Sequence, residues 1–185
     1  MDAVVGFPIH RGILALGRRV TAPSATELLA ALPDEALVLV LCGIANHDNV
    51  GGLFRNAAAF GADAVLLDAD SCDPLYRKAI RVSVGAVLTM PFARLARDED
   101  LVEVLAAGGF EALALSPRGE TRLADLTRPK RAAVLLGAEG PGLAEAVLAR
   151  SRTVAIPMAT GFDSLNVATT AGIVLHHLRF AAKAG

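Results

Sequence analysis

"ALVLVLCGIANHDNVGGLFRNAAAFGADAVLLDA", residues 36–69, decides the fold. Residues 36–44 are a continuous apolar run, the pattern of a strand covered on both faces. "NVGGLFRNAAAFGA" (49–62) reads as a helix, opened by Gly51 and Gly52 and closed by Gly61. "AVLLDA" (64–69) is a second strand. The alternation continues toward the C-terminus. "DPLYRKAIRVSVGA" (73–86) is a helix with Pro74 in its first turn, and "VLTMPFARL" (87–95) carries a strand. A helix in 98–109, strands in 110–116 and 132–139, a helix in 141–151, a strand in 153–158 and a last helix from Ser164 complete it. Strand alternating with helix predicts an α/β fold with a mostly parallel sheet flanked by helices. In the last helix Val167, Ala171, Val174, Leu175 and Leu178 share one face.

Residues 1–34 read differently, as an N-terminal extension and linker, with a short helix capped by Ser24 or Thr26 and ended by Pro33. The expected catalytic unit is 35–185. The hydrophobic fraction of 54% is high, and much of it is alanine, so a generous core and a buried subunit contact are expected. A net charge of −1 excludes bulk polycation binding; nucleic acid must be met by a local basic face. Cys42 and Cys72 form no C-x-x-C pair, as expected of a reduced, intracellular protein, and no apolar run is long enough to span a bilayer.

Ligands in such sheets bind beyond the carboxyl ends of the strands. Three segments there are rich in glycine or short polar residues. The first, "ANHDNVGGLFRNAAAFGA", places Arg55 in the first turns of a helix, unfavourable for a cation unless an anion sits there. A solvated surface arginine is the plain alternative. The second, "LLGAEGPGL", isolates Glu139, which either starts the next helix or orients Asn49, Arg55 or a ligand. The third, "IPMATGFDSLNVA", gathers Asp163, Ser164 and Asn166. Asp163 or Ser164 suffices as a helix N-cap; Asn166, a poor helix former, is then unexplained.

Together these loops resemble the SpoU family of RNA ribose 2′-O-methyltransferases, of the knotted SPOUT class. The resemblance rests on Asn49, Gly51 and Arg55, on "LLGAEGPGL", and on Ile-Pro-Met followed by Ser-Leu-Asn-Val, and covers residue 36 to the C-terminus. It implies S-adenosylmethionine as cofactor, no metal, an RNA substrate (transfer or ribosomal), a homodimer in the cytoplasm, and a deep C-terminal trefoil knot. It also implies site roles. Arg55 is the catalytic candidate, with Asn49 and Glu139 holding the pocket in shape, and Ser164 and Asn166 positioning nucleotide, cofactor or attacking oxygen. Leu115, Ser116, Gly137, Ala138, Gly140, Ile156, Met158, Ser164 and Leu165 would hold the cofactor. A guanidinium keeps its proton to above about pH 12, so either the pocket strips it or it acts as an electrostatic anchor.

Asp163 stands where the family has Glu, and "GFPIHRGILALGRR" (6–19) resembles only the tail of the RNA-binding domain many relatives carry. His10, Arg11, Arg18, Arg19 and "RPKR" (128–131) are the local basic patches, as readily solvated surface as RNA contact. Two rivals remain. A Rossmann-like nucleotide enzyme would use Gly51, Gly52 and Asp68, but the G-x-G-x-x-G fingerprint is absent. A catalytically weak RNA-binding module with the same fold would not need all five polar site residues.

Overall fold

The computed structural model describes residues 17–162 and 164–180. His10, Arg11 and Asp163 lie outside the described residues. The strands are β1 (Ala36–Leu41), β2 (Ala64–Leu67), β3 (Phe92–Arg94), β4 (Glu111–Leu115), β5 (Thr121–Arg122), β6 (Arg131–Leu136) and β7 (Arg152–Ala155). The helices are α1 (Ala25–Ala30), α2 (His47–Ala59), α3 (Arg77–Val82), α4 (Leu101–Ala107), α5 (Glu145–Leu148) and α6 (Val167–Phe180). The seven strands form one sheet in the order β3-β2-β1-β6-β4-β7-β5, and every pairing is parallel.

β1 and β2 are buried along their whole length, as their unbroken apolar runs require. Leu37, Leu39 and Leu41 point into a core shared with α2 and α6; Val38 and Val40 point to the opposite face, under α1 and α4. α1 starts with a reciprocal capping box. The Ser24 hydroxyl accepts from Glu27 N–H, and the Glu27 carboxylate accepts from Ser24 N–H.

The glycines of the first loop do not open α2. The helix begins at His47, capped by Asn46, and Gly51 and Gly52 lie inside it. They are there for close approach. A Cβ on Gly51 would fall 2.8 Å from the Ala79 carbonyl oxygen on α3, and one on Gly52 would fall 2.9 Å from Ala168 Cβ on α6. Arg55 therefore sits beyond the first turns, and the helix-end argument for an anion does not hold. α3 is also shorter than expected and starts after Pro74 rather than around it. α5 is a single short turn of helix, and α6 begins at Val167 rather than at Ser164.

The late strands intercalate between earlier ones. β6 lies between β1 and β4, and β7 between β4 and β5. The link from β4 to β5 must cross the end of β7, and it does so in backbone contact. A Cβ on Gly119 would fall 2.5 Å from the Val154 carbonyl carbon. Ser116 N–H donates to the Val154 carbonyl, and Glu120 N–H to the Thr153 hydroxyl. No helix among the described residues is long and apolar enough to cross a membrane.

Candidate active site

Asn49 sits in the first turn of α2 and is one of few buried polar side chains. Its amide donates to Glu139 Oε1 at 2.8 Å, and its oxygen accepts from the Asn166 amide at 3.0 Å. The other end of Asn166 is also used. Its Oδ1 accepts from Ala168 N–H at 2.9 Å and from Thr169 N–H at 3.3 Å, so Asn166 itself caps α6. The cap expected at Asp163 or Ser164 is thus at Asn166, and the same side chain reaches across to Asn49. Two hydrogen bonds tie all three loops together at residues far apart in sequence.

Beside this latch is a cavity of about 950 Å³. It is walled by the β4–β5 link, the β6–α5 loop and the β7–α6 loop, and all nine residues expected to hold a cofactor line it: Leu115, Ser116, Gly137, Ala138, Gly140, Ile156, Met158, Ser164 and Leu165. Glu139 and Asn166 line it too, as do Arg118, Glu120 and Glu145, which sequence reasoning missed. Arg118 and Glu120 flank the Gly119 crossing, whose place over β7 follows from non-local strand order. Glu139 does not start a helix, because α5 begins at Glu145.

The second loop closes on itself. Gly142 N–H donates to the Ala138 carbonyl at 3.0 Å. A Cβ on Gly137 would fall 2.2 Å from the Gly142 carbonyl carbon, so only glycine fits. The loop thereby brings three glycines, Gly137, Gly140 and Gly142, to the cavity wall.

Arg55 does not line this cavity. It is exposed and makes no ion pair among the described residues. It lines a shallow groove with Gly52, Asn56, Phe60, Ala168, Thr169, Gly172 and Ile173. Groove and cavity flank the same first turns of α6, since Asn166, Val167 and Thr170 line the cavity.

Neither cysteine is poised as a nucleophile. Burial, with the Asp68 carboxylate adding to it, pushes the Cys42 thiol up to about 12, and burial raises Cys72 as well. Among the described residues no cluster of His, Cys, Asp or Glu could hold a metal. Of the basic patch at 128–131, Arg131 is structural: it donates to the carbonyls of Leu29, Leu32 and Pro33 and lies over the Phe110 ring.

The pattern of the SpoU rRNA Methylase family matches residues 36–176. The chain belongs to the SpoU rRNA methylase family. An uncharacterized tRNA/rRNA methyltransferase of Mycobacterium bovis is 43% identical over 182 residues, 95% of this chain and 62% of that one. The chain thus spans less than two thirds of that relative's length. Among solved structures, an RNA 2′-O ribose methyltransferase superimposes with a TM-score of 0.72 at 29% identity, over 79% of this chain and 56% of the other. The SpoU methyltransferase AviRb of Streptomyces viridochromogenes, in complex with AdoMet, does so at 0.75 and 26%, over 84% and 61%.

The latch makes a prediction of its own. Asn49→Asp would set a buried carboxylate against Glu139 and remove the donor. Like charges raise the pair's affinity for a proton, so the variant's stability deficit grows as pH rises. We expect a loss of about 1–3 kcal/mol at pH 8 and a smaller loss at pH 5. Paired thermal melts against the native protein check it; an equal deficit at both pH values would contradict the contact.

Proposed function

We propose that this SpoU chain transfers a methyl group from S-adenosylmethionine to a ribose 2′-hydroxyl of structured RNA, transfer or ribosomal. The observation that carries the reading is the Glu139–Asn49–Asn166 relay, which joins all three family loops beside the cavity. The residues fit a nucleoside-bearing donor: Gly137 admits no side chain, and three glycines, Gly137, Gly140 and Gly142, line the wall and let a ligand approach the backbone closely. Leu115, Ser116, Gly137, Ala138, Gly140, Ile156, Met158, Ser164 and Leu165 would hold the cofactor, which when bound supplies a methyl group on a positively charged sulfur.

The chain's own residues do the rest. Asn49 fixes Glu139 and Asn166, and so the spacing of the two loops that would enclose the donor. Ser164 and Asn166, which line the cavity, would position the nucleotide, the cofactor or the attacking oxygen. The Arg55 guanidinium grips a phosphate and stabilises the 2′-oxygen as its proton passes to solvent water at the open groove. We favour the anchor role over a general base because Arg55 is exposed, in a groove beside the cavity.

Two further parts belong to this reading. A C-terminal knot is one, and the close crossing of residues 116–120 over β7 supports it. The chain acts as a homodimer in the cytoplasm, joined through the α2–α6 face, where Ile173 and Phe180 are exposed and His176 stands between the rings of Phe60 and Phe180. A second copy there would close the Arg55 groove. Sedimentation should show a dimer; a monomer at micromolar concentration would contradict this. The activity is tested by incubating the protein with bulk RNA and methyl-labelled S-adenosylmethionine. Label in RNA supports the reading; binding of the cofactor with none transferred favours the non-catalytic module.

A further inference from the structure

α3 and α2 run side by side in the same direction. The Tyr76 ring meets the His47 ring at 4.4 Å between centroids, Lys78 pairs with Asp48 at 2.7 Å, and Gly51 lies under Ala79 and Val82. The end of α3 is therefore delivered toward the turn of α2 that carries Arg55. Arg77 and Arg81 fall at i and i+4 on one outward face, and Val84 is exposed in the turn just past the end of α3. Tyr76, just before them, is 45% exposed.

The face is locally cationic although the whole chain is not. Arg77 and Arg81 are exposed and make no ion pair among the described residues, while the nearby acids Asp48 and Asp73 are taken by Lys78 and Arg19. Val84 is the second observation. It is the only non-glycine among the described residues with positive φ, +55°, and its side chain is 73% exposed. A β-branched residue in that region is strained, on the order of 1–3 kcal/mol. The surroundings enforce it: Val84 N–H donates to the Arg81 carbonyl, Gly85 N–H to the Ile80 carbonyl, and the buried Ser83 hydroxyl to Ile80 as well. Nothing in the core uses the Val84 side chain. A strained turn that holds an apolar group out in water suits a surface that meets a partner.

We propose that this face, with Tyr76, Arg77, Arg81 and Val84, carries the single-stranded RNA flanking the methylated nucleotide. The two guanidiniums take consecutive phosphates, Tyr76 offers a ring on which an unpaired base stacks, and Val84 abuts the next sugar or base. The inference rests on the RNA methyltransferase reading above and adds the path of the strand.

The test uses the full chain and fluorescently labelled bulk transfer and ribosomal RNA, with affinity read by anisotropy across a salt series. Arg77→Gln with Arg81→Gln should weaken binding about tenfold or more and reduce the salt slope by about 1.4, as loss of two phosphate contacts to a single strand requires. Tyr76→Ala should weaken binding several-fold, and Tyr76→Trp should restore it. S-adenosylmethionine affinity, measured on the same samples, should stay unchanged and shows that the variants are folded. Native RNA affinity and salt slope in the double variant would overturn the proposal while leaving the methyltransferase reading intact. If the native chain bound no RNA at all, both would fall.

Discussion

Arg55→Ala is expected to abolish methyl transfer, with kcat lowered by about a thousandfold or more, while the affinity for S-adenosylmethionine changes less than about twofold. The split follows from placement. Arg55 lines the groove on one side of the first turns of α6, and the cavity proposed to hold the cofactor lies on the other. On the proposed reading its loss would remove a cation from the reacting oxygen and phosphate, and Arg55 touches no wall of the cavity. Loss of one preorganised group that stabilises developing negative charge costs on the order of a hundred- to a thousandfold, and phosphate positioning adds to it. Arg55 makes no ion pair among the described residues, so stability should be almost unchanged. Single-turnover assays with saturating cofactor, beside calorimetry, check both halves. Near-native turnover would remove Arg55 from the reaction.

Gly137→Ala should have the opposite signature. The added methyl would meet the backbone of Gly142 at 2.2 Å and of Leu143 at 2.3 Å, atoms that cannot turn aside as a flexible side chain can. The loop must open, and the cavity wall it forms opens with it. We expect cofactor affinity to fall about a hundredfold or more, with a stability loss of about 1–3 kcal/mol. Gly140→Ala is the control. A Cβ there meets nothing within 4 Å, but φ is +90°, so it suffers backbone strain without a clash. Its effect on affinity should be clearly smaller. Equal affinities for the native protein and Gly137→Ala would mean that the β6–α5 loop does not hold the cofactor.

Much of this was legible in sequence because it is local. The run at 36–44 reads as a strand covered on both faces and those at 64–69 and 132–139 as strands, and the sheet places β1, β2 and β6 there, none at an edge. The alternating face of the last helix is buried at Val167, Ala171, Val174, Leu175 and Leu178. The loops carrying Asn49, Glu139 and Asn166 were identifiable by composition and by family likeness, and the structure brings those three side chains into hydrogen-bond contact. What was not legible depends on partners distant in the chain. Gly51 and Gly52 looked like a helix opening because a sequence does not show that Ala79 and Ala168 press against them. Asn166 looked like a misfit inside a helix because its propensity is poor there; as a cap it is well placed. β5 is only Thr121–Arg122, too short to leave a pattern, and it exists because β7 supplies an edge. The first-turn position once expected for Arg55 failed for the same reason: the start of α2 is fixed by Asn46, not by the glycines.

The most direct test is chemical identification of the product. Bulk RNA incubated with the protein and S-adenosylmethionine is digested to nucleosides and analysed by mass spectrometry, with a parallel alkaline hydrolysis. The account predicts a new 2′-O-methylated nucleoside and an alkali-resistant dinucleotide. New methyl groups found only on bases, with every ribose still cleaved by alkali, would contradict it.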